Sequence, residues 1–140
     1  LGVIAERVFH VGELGAGKTV KLINNMLVAA QTALAGEALA LAEAAGIDPA
    51  KLYEAVSASS GDSNAWRNMV PKVLDPPPVA GFRLELMAKD LRLALAVAEE
   101  LGCFLEIASM ARHRYERAIS QGLGSQDVSQ AASLDLTISH

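Results

Sequence analysis

Between Ala16 and Ala45 apolar side chains return every three or four residues, the period of a helix rather than the alternation of a strand. Leu22, Met26, Ala29, Ala33, Gly36 and Ala40 trace one narrow stripe of mostly small side chains. This predicts a helix of about eight turns with a second helix packed closely on the stripe. Gln31, Glu37 and Glu43 interrupt the apolar run, which falls short of the roughly eighteen uninterrupted apolar residues of a membrane span. The pattern is that of a core helix, and Gly46 is placed to end it. Asp48-Pro49 then supplies an N-cap and a first-turn proline for a short helix to about Ser57. The polar break Ser59–Ser63 precedes another helix from about Asn64 to Leu74, with Trp66 as its core anchor.

Asp75-Pro76-Pro77-Pro78 is a stiff, extended connection. Beyond it, Leu84, Met87, Leu91, Leu95 and Ala98 form the apolar face of a second strong helix, which Gly102 stops. Phe104 to about Gln121 is a further helix, with Arg112, His113, Arg114 and Arg117 as its polar face. Ser125 or Asp127 caps a last helix through Leu136. Only Val8, Phe9 and Val11 read as a strand, ending at Gly12, and a lone strand has nothing to pair with in this chain. The fold class expected is therefore all-α, one long helix plus four or five shorter ones. The strand suggests a sequence that starts partway through something larger.

Composition sharpens this picture. The chain has 140 residues, 51% of them hydrophobic yet only 4% aromatic, which suits closely packed helices better than sheets. A net charge of −4 without a basic tract argues against nucleic acid as a partner. The single cysteine, Cys103, cannot close an internal disulfide, and a cytoplasmic protein is expected. His10, His113 and His140 have no metal-ligand spacing, so no metal site is expected. Lys89-Asp90 in the middle of the second long helix reads most simply as a solvated ion pair.

The stretch richest in chemistry opens the long helix: Gly12-Glu-Leu-Gly15-Ala-Gly17-Lys18-Thr19-Val-Lys21-Leu-Ile-Asn24-Asn25. Lys21 and Asn25 stand four apart, so a helix sets them on one face a turn from each other, with Asn24 beside them. Asparagine is a mediocre helix former, and two in succession beside a lysine suggest a use for their side chains. The plain alternative is a polar, solvent-facing first turn. Gly12 to Thr19 also satisfies the phosphate-loop string G-x-x-x-x-G-K-[ST]. That loop belongs to a parallel sheet of several apolar strands, and no such strands follow Thr19.

Gly12-x-x-Gly15-x-Gly17-x-x-x-Lys21-x-x-Asn24-Asn25 resembles the catalytic signature of the β-hydroxyacid dehydrogenases, the family of 3-hydroxyisobutyrate dehydrogenase and tartronate semialdehyde reductase. Met87-Ala-Lys89-Asp90-Leu91 is similar to that family's second helical signature, and Ser59-Ser60-Gly61 and Gly81-Phe82 fall where it has such residues. The resemblance runs from Val8 to about Ala131. Lys18 departs from it, standing where the family usually has an uncharged residue such as glutamine.

The resemblance implies a two-domain enzyme that moves a hydride between NAD or NADP and a small hydroxyacid. Residues 1–12 would end its N-terminal dinucleotide-binding domain. Residues 13–140 would be the helical substrate and dimerisation domain, like the C-terminal domain of the 6-phosphogluconate dehydrogenase-like superfamily. It further implies Lys21 as the catalytic acid/base, and Asn25, Asn24, Gly15 and Gly17 as substrate-binding residues. Phe82, Lys89 and Asp90 would lie near the cofactor, with Asp90 steadying Lys89. Its partners would be the hydroxyacid, its own N-terminal domain and further copies in a homodimer or homotetramer, with neither nucleic acid nor membrane. The cofactor would rest mainly on the N-terminal domain, leaving the helical part inactive by itself. A phosphate-loop nucleotide-binding protein and a purely structural helical dimerisation module are the competing readings.

Overall fold

A computed structural model describes residues 15–137; the strand expected at Val8–Val11 and the boundary at residue 12 lie outside that range. Helix α1 spans Ala16–Ala44, α2 Pro49–Ser57, α3 Asn64–Leu74, α4 Leu84–Glu100 and α5 Glu106–Ser120, followed by a 3₁₀ turn at Val128–Ala132. Among the described residues there is no strand, only an isolated antiparallel bridge between Arg83 and Asp127. The all-helical expectation stands.

The helix ends follow the capping chemistry of the sequence. Asp48 accepts the Ala50 N–H at 3.3 Å to start α2, and the Ser63 hydroxyl accepts the Trp66 N–H at 2.9 Å to start α3. At the end of α1, Gly46 adopts φ +74, which lets its N–H reach Glu43 O at 3.1 Å and the Ile47 N–H reach Ala42 O at 2.8 Å.

Helix α1 is the axis of the molecule, touching every other element. Ala29 and Ala33 meet Leu84, Met87 and Leu91 of α4 and Ala111 and Tyr115 of α5 in one core. Ala35 and Leu39 meet Trp66, Val70 and Val73 of α3 in a second. Trp66 is buried as expected, its ring stacked on Tyr53 at 6.3 Å and its Nε1–H donating to Tyr53 O at 3.4 Å. By length and composition alone α1 could cross a membrane, but its inner face is covered by the amphipathic helices α3, α4 and α5.

The small-residue stripe meets its close neighbours as expected: a Cβ on Gly36 would stand 2.8 Å from both the Cα and the carbonyl oxygen of Ala132. Two expectations change. The last helix shrinks to one 3₁₀ turn. All five of its residues are buried, so the segment is a plug without the solvent-facing side of a surface helix, and Ser133 N–H and Leu136 N–H bond only three residues back. Arg114 turns inward from the expected polar face of α5. Its Nε donates to Ala131 O at 2.6 Å and its Nη1 to Asp135 at 3.0 Å, tying the plug to α5.

Candidate functional site

Gly15, at φ +97, turns the chain into α1, and no side chain caps the helix start. The first turn carries no acidic residue but has Lys18 beside Gly17. Both glycines are open: a Cβ built on either meets nothing within 4 Å. The first-turn N–H groups, the positive end of a long helix dipole and the Lys18 cation thus lie together, an arrangement that favours an anion.

Lys21 follows one turn later and is exposed. A further turn brings Asn25, which is only 5% exposed. Burial requires its amide to find partners within the protein. It does: Asn25 Nδ2 donates to Asp90 Oδ2 at 2.6 Å, and Asn25 Oδ1 accepts from Asn24 Nδ2 at 3.5 Å, the outer edge of hydrogen-bond distance. Asn24, Asn25 and Asp90 therefore form one hydrogen-bonded edge of the α1–α4 contact, with Lys21 exposed one helical turn before Asn25.

The remaining residues of the expected site fall differently. Lys89 is exposed and makes no ion pair with Asp90 among the described residues. Adjacent residues on a helix point about 100° apart, so Asp90 turns to α1 while Lys89 turns outward. The expected steadying of Lys89 by Asp90 is thus replaced by a bond to Asn25. Phe82 does not join the cluster. Helix α4 runs antiparallel to α1, with Ala94, Val97 and Leu101 facing Met26, Leu22 and Thr19 around an apolar groove of about 270 Å³. Phe82 precedes Leu84, itself about 9 Å of helix rise from Asp90, on the side away from Lys21. Its ring packs against the first core, and its carbonyl accepts the Val128 N–H at 2.8 Å.

Asp127 went unread as anything but a cap, yet it is the best-buried carboxylate described, 3% exposed. Oδ1 accepts the Ser129 N–H at 3.0 Å and Oδ2 the Gly81 N–H at 2.9 Å, with Lys72 Nζ 3.9 Å away. Burial alone would raise its pKa; the bonds from Ser129 and Gly81 and the Lys72 charge outweigh that and hold it below the ordinary carboxylate value. Only the Asp127–Ser129 half is local in sequence, so the strap across Gly81 carried no signal.

Among the described residues after Thr19 there is no strand of the parallel sheet to which a phosphate loop belongs. Nor is there a group of His, Cys, Asp and Glu among them that could hold a metal ion.

Residues 15–134 match the model of a family described as the NAD-binding of NADP-dependent 3-hydroxyisobutyrate dehydrogenase. The 2-(hydroxymethyl)glutarate dehydrogenase of Eubacterium barkeri is 36% identical over 130 residues, 92% of this chain and 43% of that protein. The 3-hydroxyisobutyrate dehydrogenase of Pseudomonas aeruginosa is 37% identical over 119 residues, 80% of this chain and 40% of that protein. A crystal structure of 3-hydroxyisobutyrate dehydrogenase from Salmonella typhimurium superposes with a TM-score of 0.81 at 33% identity, over 86% of this chain and 42% of that one. The chain thus spans about two fifths of the length of these relatives. With the family model matched over residues 15–134 and relatives of this kind aligned over most of its length, the chain belongs to the 3-hydroxyisobutyrate dehydrogenase family of NAD(P)-dependent hydroxyacid dehydrogenases.

Proposed function

We propose that this chain is the helical catalytic and dimerisation domain of an enzyme that oxidises a small hydroxyacid, or reduces the matching oxoacid or semialdehyde. The observation that carries the reading is the edge itself: an exposed lysine on the open first turns of α1, backed one turn on by a buried, hydrogen-bonded asparagine. Residues 1–12 would then end a dinucleotide-binding domain in the rest of the protein, and the enzyme would work in the cytoplasm.

The residues present suit one end of a dinucleotide rather than the whole of it. Lys89 offers an exposed cation beside the Asn25–Asp90 edge, and the glycines leave the start of α1 open to approach. When bound, NAD or NADP supplies the acceptor or donor of the hydride. Phe82, which the resemblance also gives to the cofactor, would meet it away from Lys21, beyond Asp90.

The chain's own residues handle the substrate's charge and its proton. The substrate carboxylate would sit at the N-terminus of α1, where backbone N–H groups and Lys18 favour an anion. That would place the substrate hydroxyl one turn along, at Lys21. In oxidation Lys21 Nζ takes the hydroxyl proton as the hydride leaves the carbon; in reduction it returns that proton to the forming alkoxide. Asn25 orients the reacting groups through neutral hydrogen bonds, adding no charge that competes with the transfer.

Three substitutions in the full-length enzyme test this. Lys21→Ala is expected to lower kcat at least about 100-fold, the scale of a lost general acid/base, while cofactor Kd stays close to that of the parent. Lys18→Gln should retain most of kcat and raise mainly the hydroxyacid KM. Asn25→Ala should fall between them. A Lys21→Ala enzyme with near-parental kcat would remove the assignment. The helical domain assayed alone is expected to show no turnover, since the cofactor would rest mainly on the other domain and this one offers contacts to one end of it only.

A further inference from the structure

Asn25 is the one amide in the α1–α4 contact whose direction the surroundings dictate. An ionised carboxylate only accepts hydrogen bonds, so Asp90 requires Asn25 to present its Nδ2 donors. The reversed amide would set Oδ1 against a carboxylate oxygen at 2.6 Å, with Asn25 too buried for water to intervene. The contact on the other side agrees, for Asn24 Nδ2 donates to Asn25 Oδ1 at 3.5 Å. Charge-assisted bonds of this length are among the stronger ones a side-chain amide makes.

We infer that Asp90 is a positioning residue, which turns the acceptor Oδ1 of Asn25 away from α4 and toward the side where Asn24 and Lys21 stand. An acceptor there suits the proton role proposed for Lys21, on which this inference rests. Before transfer in the oxidative direction, Oδ1 takes a hydrogen bond from the substrate hydroxyl or the neutral amine. After transfer it takes one from the ammonium. At each stage a donor is present and no charge is added. A reversed amide would point donors at the ammonium and lose both bonds. Asp90 itself is spent on Asn25 and need touch neither hydroxyacid nor cofactor.

The test is a double-mutant cycle on the full-length enzyme, read separately in kcat, hydroxyacid KM and cofactor Kd. Asp90→Ala is expected to lower kcat about 10-fold, with both binding terms changing less than about 2-fold, since coupled hydrogen-bonded pairs show effects of this size. Asp90→Asn should recover most of kcat, because a neutral amide oxygen also accepts from Asn25. Asn25→Ala combined with Asp90→Ala should cost little more than Asn25→Ala alone. Losses that multiply, or a loss confined to cofactor Kd, would overturn the inference. So would coupling of Asp90 to Lys89 in the parallel cycle with Lys89→Met.

Should Asp90→Ala fail to fold, the exchange of partners decides. Asn25→Asp sets two carboxylates face to face and should be nearly inactive, and adding Asp90→Asn should regain at least about 5-fold in kcat by restoring one donor and one acceptor. No recovery would refute the orientation role. Failure of the Lys21 assignment is separately visible, as a Lys21→Ala enzyme that keeps its kcat while Asn25 and Asp90 still couple.

Discussion

At Gly36 the demand on a single residue is steric. Helix α1 and the 3₁₀ turn approach so closely that any Cβ there overlaps the backbone of Ala132 and the guanidinium of Arg114. The arginine tip can swing, but backbone cannot. Gly36→Ala is therefore expected to destabilise the protein by about 1–3 kcal/mol despite alanine's better helix propensity, measured as a fall in the urea midpoint. A stability at or above the parent's would show that the turn yields cheaply. Gly36 was legible as part of a small-residue stripe, and a close helical contact followed from that. Which element makes the contact was not legible, because the plug lies almost a hundred positions downstream and its pattern reads as an ordinary helix end. The same division holds at the site. Lys21 and Asn25 share a face by their spacing of four, which is local arithmetic. Asn25 meeting Asp90 joins residues 65 apart, and only the packing of α1 on α4 reveals it. Arg114 misled for a similar reason, since an arginine's usual place is the surface and its inward partner is a backbone carbonyl without a side-chain signature.

Among the elements, those with a cap written beside them were legible almost to the residue: α2 from Asp48, α3 from Ser63 and the end of α1 from Gly46. The 3₁₀ turn was not, although Asp127 caps it as read. A cap announces that N–H groups are satisfied, but not how many turns follow, and here burial on all sides limits the element to one. Asp127 also makes this turn sensitive to acid. Its pKa is held below the ordinary carboxylate value in the folded state, so the unfolded chain binds its proton at the higher pH. The stability it contributes is fully present above the unfolded-state pKa and is lost as pH falls through the lowered folded-state value. Asp127→Asn removes the charge that Lys72, Gly81 and Ser129 address and is expected to cost about 1–3 kcal/mol at neutral pH. The gap from the parent protein should narrow steadily below about pH 4, where the parent's own carboxylate begins to protonate in the unfolded chain. Urea unfolding across that range reads both quantities. A gap that stays constant into acid would show that Asp127 acts through shape alone.

Across the whole molecule, α1 carries a second row of apolar side chains that the other described elements leave exposed. Ala29, Ala33, Gly36 and Leu39 look inward, while Ile23, Leu27, Leu34 and Leu41 lie on the opposite side and remain exposed, Leu34 at 65% and Leu41 at 73%. Beside this face, Leu34 also lines a groove of about 520 Å³ between α1 and α5, together with Ile107 and Met110. The resemblance implies subunit contacts for this domain. With the stripe occupied among the described residues, the subunit contact proposed for this domain would fall on the exposed leucine face instead. This face repeats every seven residues at Leu27, Leu34 and Leu41, the spacing at which two helices keep a seam in register. Leu34→Glu combined with Leu41→Glu would bury four like charges at the centre of a two-fold contact, where no opposite charge answers them. The full-length protein is accordingly expected to pass from dimer or tetramer to a smaller species by light scattering, with its helical circular dichroism intact, because neither leucine packs into the core. Gly36→Ala should do the reverse, lowering the unfolding midpoint while leaving the mass unchanged. If the double-glutamate protein keeps its parental mass, the subunit contact lies elsewhere and the outer face of α1 serves another part of the same chain.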